Sequence, residues 1–311
     1  MSNVDSNDSA RAASDDLLVD PRTKAALRRE TDAYVGSDGQ RFRIEDGIVR
    51  MLVEVDPELA VELEAQRNGV DEYMNPAYLM PRYERDMAQL AVEELFAAGV
   101  PRGRILDAGC GIGLLGRLYP SLSLVGLDAS VDLLREARVG YSLRVEASAE
   151  TLPFPDGCFD AVVALNMLHH VINPARAVSE FARVLRSGGS LVAVDPRKVW
   201  PIELAKKVLR GNNASFAPTH KAFTTGEYVE LLSAGGSFQL EVERRVGLTA
   251  LLVMGGLDAL KVSPLIAGDG LAQALRRVDA TLFRVKPLQR AGLNLVVRAR
   301  RTATAARTPT L

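Results

Sequence analysis

The chain has 311 residues, 47% of them apolar, and a formal net charge of −1. This suits one large domain, or one domain with a small appendage, and supports a full core; the near-zero charge excludes a global field that would recruit nucleic acid or an anionic membrane. Two cysteines, Cys110 and Cys158, make neither a disulfide framework nor a zinc site and read as reduced thiols of a cytoplasmic protein. No apolar stretch is long enough to span a bilayer. Residues 1–16, rich in Ser, Asn, Asp and Ala, read as a disordered tail rather than a secretion signal.

Residues 17–55 form a candidate small β module. Leu17-Leu18-Val19-Asp20-Pro21 reads as a short strand with a turn. Gly36-Ser37-Asp38-Gly39 is a hairpin signal between 33–35 and 41–44, and Asp46-Gly47 turns the chain again before 48–52. A main domain is expected over 56–301. Residues 58–66 have helical periodicity, with Asn68-Gly69 as a stop signal. Residues 83–98 form an amphipathic helix with Met87, Leu90, Ala91, Leu95 and Phe96 inward, ended by Gly99-Val100-Pro101.

From Arg104 the pattern is strand–helix–strand. Strands are expected at 104–107, 122–127, 141–145, 159–165 and 190–194, with helices at 130–138 and 174–185 between them. Ser130 is a helix N-cap and Gly188-Gly189 a helix stop. Apolar strands alternating with helices predict an α/β fold, a doubly wound sheet covered on both faces. Ligands bind such sheets at the carboxyl ends of the strands, where Asp107, Asp128, Ser148, Asn166 and Asp195 fall. Beyond Asp195 come a helix at 202–209, a helix at 227–233 capped by Thr225, a strand at 238–246 and a last strand at 293–299. About 45 residues separate those two strands, far more than an ordinary connection. They hold the apolar run 248–260 and a helix at 271–283, and read as a helical insertion over about 247–290, either over the mouth of a site or packed on the sheet. Residues 302–311 are a polar tail.

The first βα turn carries the chemistry. Gly109-Cys110-Gly111-Ile112-Gly113 follows a buried strand, and glycine lets backbone approach a ligand and adopt positive φ. The next strand ends in Asp128, 21 positions after Asp107, where a carboxylate can accept both ribose hydroxyls. A dinucleotide turn has G-x-G-x-x-G spacing and seats a pyrophosphate. Here the spacing is G-x-G-x-G, and Asp107 just before it would repel a pyrophosphate but hold an ammonium group.

Residues 105–113 together with Asp128 resemble the cofactor signature of class I S-adenosylmethionine-dependent methyltransferases, of the type 11-like kind. That resemblance implies a Rossmann-like, seven-stranded, mostly parallel sheet and S-adenosyl-L-methionine as cofactor. It implies that Asp107 and the backbone of Ala108, Gly109, Cys110, Gly111 and Gly113 hold the methionine part, and that Asp128 binds the ribose. Ala129, Ser148, Ala149 and Glu150 would border the adenine, with Ser148 where many members have Asp. Asn166 and Met167 would border the methyl end. Residues 17–53 resemble a Trm112-like module without the zinc cysteines: Asp20-Pro21 stands where zinc-binding members have Cys-Pro, and no metal is expected. In the resembling family, helices before the first strand cover the pocket, which makes Tyr73, Tyr78, Arg82 and Tyr83 lid candidates or helix-packing residues.

His169 and His170 are candidate general bases, because imidazole titrates near neutral pH; alternatively His170 orders backbone while His169 lines the pocket. His220 is a rival base. The leading expectation is methyl transfer to a small, apolar acceptor on O, N or C, the apolar insertion suggesting either such an acceptor or a homo-oligomer contact. Action on RNA or protein, with nucleic acid disfavoured by the charge balance, is a second reading. A cofactor-binding regulator or partner subunit without turnover is a third, and a dinucleotide oxidoreductase ranks last.

Overall fold

The computed structural model describes residues 17–74, 80–100, 103–198, 223–234, 238–248 and 269–302. The chain enters through a small antiparallel meander, β1 (Arg28–Arg29), β2 (Ala33–Val35), β3 (Arg41–Glu45) and β4 (Ile48–Arg50). Asp46 and Gly47, at φ 54° and 70°, close the β3–β4 hairpin with Glu45 opposite Ile48. Two successive residues at positive φ match the right-handed twist of the strands they join. Asp20 caps the preceding turn, its Oδ1 accepting the N–H groups of Arg22 and Thr23 at 2.8 and 2.9 Å.

Two helices follow, α1 (Pro57–Met74) and α2 (Met80–Ala97). α1 runs through Asn68-Gly69 rather than stopping there; a mid-helix glycine costs only about 1 kcal/mol relative to alanine. The main alternation is β5 (Arg104–Ala108), α3 (Leu114–Leu118), β6 (Ser123–Asp128), α4 (Val131–Glu136), β7 (Tyr141–Glu146), β8 (Phe159–Leu165), α5 (Pro174–Val184) and β9 (Leu185–Pro196). Then come α6 (Thr225–Ala234), β10 (Phe238–Val246), α7 (Asp269–Leu282), α8 (Lys286–Gln289) and β11 (Asn294–Arg301).

These strands make one mixed sheet of eleven among the described residues, in the order β1-β2-β3-β4-β7-β6-β5-β8-β9-β11-β10. Strands β4 to β9 run parallel, while β11 is antiparallel to both β9 and β10. Four of the eleven come from the N-terminal segment, which explains the excess over seven. β7 would otherwise be an edge; β4 pairs with it, and Arg50 lies opposite Glu146 and is ion-paired to it.

Successive residues of the central strands serve opposite layers. Leu106, Val162 and Ala164 join Phe154, Phe159, Phe181, Tyr228 and the N-terminal Tyr34, Phe42 and Met51 on one side. Ile105, Ala161 and Val163 join Met87, Ala91 and Leu95 of α2 on the other. Burying both faces is what a parallel sheet demands.

Several local expectations are corrected. Phe96 is 50% exposed, not inward: it falls one residue past Leu95 and so turns off the packed stripe. Tyr83 is not a lid; it is buried in the α2 core, beside Gly247. α5 ends at Val184, and Gly188-Gly189 form an irregularity within β9, where the register to β8 jumps between Phe159 and Ala161. Thr224, not Thr225, caps α6: its hydroxyl accepts from Glu227 N at 3.2 Å, and the Glu227 carboxylate accepts from Thr224 N at 2.7 Å. In the long connection, α7 packs on the α2 side through Ala272, with Arg276 bonded to Asp86 at 3.0 Å. No described residue of that helix lines the cavity below. The helix expected at 202–209, most of the run 248–260, Tyr78 and the Tyr73 side chain lie outside the described residues.

Candidate active site

At the carboxyl ends of the parallel strands the turn after β5 leaves the sheet with Gly109, Gly111 and Gly113 at φ 69°, 52° and 79°. All three conformations are left-handed, and each glycine has a different neighbour. A Cβ on Gly109 would meet Met167 Cβ at 2.6 Å, and one on Gly113 would meet Ala137 Cα at 2.7 Å. A Cβ on Gly111 would meet nothing within 4 Å, because it points into open space. Gly113 therefore serves packing, while Gly111 keeps a cradle empty. The turn is tied to β6 by Gly109 N and Cys110 N, which both donate to Leu127 O, at 2.7 and 2.9 Å.

Asp128 is fixed by backbone: its Oδ2 accepts from Gly111 N at 2.8 Å and its Oδ1 from Ser130 N at 2.9 Å. Burial raises its pKa, and those N–H groups oppose the shift. Asp107 is buried too, and accepts the Tyr141 hydroxyl on Oδ2 at 2.6 Å. Burial pushes its carboxyl to about 7; the Tyr141 bond works against this and the charge of Asp128 adds to it. Such an acid gains most when a cation arrives. In the loop after β7, the Ser148 hydroxyl accepts from Glu150 N at 3.1 Å, and Glu150 Oε1 accepts from Asn173 N at 3.0 Å at the start of α5.

Asn166, at φ 49°, leads from β8 into a short 3₁₀ turn, Leu168–His170. The two histidine rings touch at a tilt of 42°, centres 3.9 Å apart, but are held by different acids. His169 Nδ1 lies 2.8 Å from Asp195 Oδ1, and Tyr228 donates to Asp195 Oδ2 at 2.8 Å. Burial raises the Asp195 carboxyl to about 7, with the Tyr228 bond opposing. His170 Nδ1 lies 2.7 Å from Oε1 of Glu62, a buried acid of α1.

One cavity of about 700 Å³ collects these groups. Asp107, Gly109, Cys110, Gly111, Asp128, Ala129, Ser148, Ala149, Glu150, Asn166, Met167 and His170 all line it. Ala108 stays in the sheet core and Gly113 in the α3 packing, so neither side of those residues faces it. His169 does not line it either, which reverses the alternative in which His169 would face the pocket and His170 would not. His220 lies outside the described residues. Leu52, Val53, Leu59, Leu63, Met87 and Ile172 supply apolar wall, and Glu84, pushed to about 7 by burial, also lines it.

Three participants were not found from sequence. Glu62 had a signal: it shares a helical face with Leu59, Leu63 and Gln66, an acid set in an apolar stripe. Tyr141 and Tyr228 had none, because their partners lie 34 and 33 positions away.

A left-handed glycine turn opening on a cavity beside one backbone-held acid and a second buried acid suits a cofactor-binding α/β enzyme. The match to a methyltransferase-domain family covers residues 106–193. Malonyl-(acyl-carrier protein) O-methyltransferase of Geobacter sulfurreducens is 32% identical over 213 residues, 61% of this chain and 78% of the relative. Phosphatidylethanolamine N-methyltransferase of Cereibacter sphaeroides is 39% identical over 119 residues, 34% of this chain; the chain spans only 58% of that relative. A solved SAM-dependent methyltransferase from Thermotoga maritima, a possible histamine N-methyltransferase, superposes with TM-score 0.53 at 20% identity, over 77% of this chain and 99% of that one, and supports the fold. The chain belongs to the S-adenosylmethionine-dependent methyltransferases, and its cofactor is S-adenosyl-L-methionine. The open space beside Gly111 fits that ligand, since any side chain there would fill it.

Proposed function

We propose that the protein transfers a methyl group from S-adenosyl-L-methionine to O, N or C of a small, largely apolar acceptor in the cytoplasm. The observation that carries this is the single cavity in which the glycine cradle and Asp128 share a wall with Leu52, Val53, Leu59, Leu63, Met87 and Ile172. The cofactor supplies a methyl group on a positively charged sulfur, already an excellent leaving group. The chain has to seat the nucleoside, align the acceptor, exclude water and take a proton where the acceptor is protic.

In this reading Asp128 receives the ribose hydroxyls on carboxylate oxygens that already each accept one backbone N–H, so the acid does not move on binding. Asp107 faces the cationic amino-acid end. Ser148, Ala149 and Glu150 border the adenine, and Asn166 and Met167 border the methyl end. His170 is the base: it lines the cavity, and Glu62 fixes its ring and balances the charge it gains on taking a proton. Residues 17–55 are read as a Trm112-like β segment that has lost its zinc ligands.

A second reading is favoured by the Geobacter sulfurreducens relative, 78% of which this chain covers: an acyl carboxylate presented on a carrier protein. That nucleophile is already anionic and needs no base, so His170→Ala would leave its methylation intact. The test is transfer of a labelled methyl group to a panel of apolar alcohols, amines and quinols, and to acyl carrier protein. Cofactor bound by folded protein with no labelled acceptor in any class would sink both readings.

A further inference from the structure

The N-terminal β segment touches the site at two places: Ile48 shares a small core cluster with Cys110 of the glycine turn, and Arg22, Lys24, Leu52 and Val53 line the cavity that holds Gly111 and Asp128. The contact centres on Lys24, which sits at φ 59°, a left-handed conformation that a lysine does not adopt without compensation. Its ammonium donates to Pro21 O at 2.9 Å, Leu152 O at 3.0 Å and Glu180 Oε2 at 3.0 Å. Those three bonds match the three protons an ammonium carries. Leu152 is held from the other side as well: its N–H donates to Glu180 Oε2 at 2.8 Å, and Arg183 donates to its carbonyl at 3.0 Å. Val19 N also donates to Pro153 O at 3.0 Å.

Leu152 ends the loop whose residues 147–151 line the cavity. That loop has left the sheet ladder and is held at three places, one of them Glu150 Oε1 on Asn173 N in its middle and the others at its two ends. One end is Ala147 N on Asp128 O, at 3.0 Å. The other is this junction of the N-terminal segment, the loop and α5. Burial lowers the pKa of Lys24 and the Glu180 carboxylate opposes the shift, as expected of an ammonium withdrawn from water onto one acid.

We infer that Lys24 is a positioning residue for the cofactor, and that the N-terminal segment is a working wall of the cofactor site rather than an external cap. The inference rests on the proposed placement of the adenine against residues 148–150. An ammonium that clasps this loop sets the width of the adenine slot from outside the methyltransferase-domain match, which begins at residue 106.

The test is calorimetric titration of the full chain and its Lys24→Met and Lys24→Arg variants with two ligands. S-adenosylhomocysteine carries both ends of the cofactor product; 5′-methylthioadenosine has the same adenosine without the amino acid. Lys24→Met keeps an unbranched stem one atom shorter without the ammonium and, with Arg183 still on Leu152, is expected to stay folded. Its affinity for both ligands should fall by the same factor, about tenfold, and Lys24→Arg should regain most of it. Unchanged affinity, a lower melting temperature with unchanged affinity, or a loss confined to S-adenosylhomocysteine would each overturn the inference. Failure of the wild-type chain to bind either ligand would instead overturn the proposed function.

Discussion

Two parts of the cavity wall are built on different principles. One part, residues 107, 109–111, 128–129 and 147–150, is backbone and backbone-held carboxyl: Asp128 is anchored by Gly111 N and Ser130 N, and the turn hangs from Leu127 O. The other part is side chains reaching in from separate elements, with Glu62 from α1 holding His170 and Leu52 and Val53 following β4. The first wall fixes its geometry within one stretch of chain, residues 107–150, and its turn tolerates few residue types. The second can change its acceptor by exchanging side chains without disturbing the sheet, which is how one fold comes to host many acceptors.

The largest expected effect separates glycines within the first wall. Gly111→Val would fill the cradle and force a β-branched residue to φ 52°. Affinity for S-adenosylhomocysteine should drop at least about 100-fold, roughly 3 kcal/mol, in a protein that still folds. Gly113→Val, whose Cβ would meet Ala137 Cα at 2.7 Å, should instead unfold the chain. Melting curves beside calorimetry distinguish the two, and equal behaviour of the pair would erase the division between cradle and packing.

The second wall should break differently. His170→Ala should lower kcat on a protic acceptor by about 10²- to 10³-fold while cofactor affinity changes less than about threefold, and Glu62→Gln should cost about tenfold. Single-turnover methyl transfer reads the first quantity and titration the second. A large loss of cofactor affinity in either variant would put His170 on the wrong wall.

Protonation gives an intermediate effect. Asp107 is raised to about 7 in the folded, ligand-free chain, so a cationic ligand end beside it should expel its proton. Affinity for S-adenosylhomocysteine should therefore rise between pH 6 and 8, with proton release visible as a dependence of binding heat on buffer ionisation enthalpy. The same shift affects stability with a definite sign. Asp107 and Asp195, both raised from 3.8 to about 7, keep their protons when folded and lose them near 4 when unfolded. Their contribution is complete below that lower value and is lost as pH rises toward 7. Melting temperatures of the ligand-free chain across pH 5 to 7.5 check it.

The smallest expected effect is Tyr141→Phe. It removes the hydroxyl that stabilises ionised Asp107, at a cost of about 1 kcal/mol. The midpoint of the affinity profile should move to higher pH, and an unmoved midpoint would assign the titration to another group, with Glu84 the next candidate.

The difference between the walls also explains what the sequence disclosed. Gly109, Gly111, Asp107 and Asp128, which line the cavity, were legible because backbone-built sites need particular residue types at fixed local spacing; Gly113 fitted the same spacing but serves packing. The doubly wound character of the main sheet followed from apolar runs that bury both faces and alternate with helices. Lys24 was not singled out, because its meaning depends on a partner 156 positions away; Glu62 showed locally as an acid on a helical face with Leu59 and Leu63, but its partner lies 108 positions away. The eleven-stranded sheet was missed for the same reason: nothing in the local pattern of residues 48–50 shows that they pair with 144–146. Phe96 misled because periodicity places a helical face only to within about one residue.

The central claim is that Asp128 and the glycine turn form the adenosyl half of a methyltransferase site. Calorimetric titration with S-adenosylhomocysteine of the wild type and Asp128→Ala, each shown folded by its melting curve, tests it most directly. The account predicts wild-type binding in the micromolar range, on the order of −8 kcal/mol, and a loss of at least about 100-fold in the variant. A folded wild type that takes up no ligand, or a variant that binds as tightly as the wild type, would contradict it.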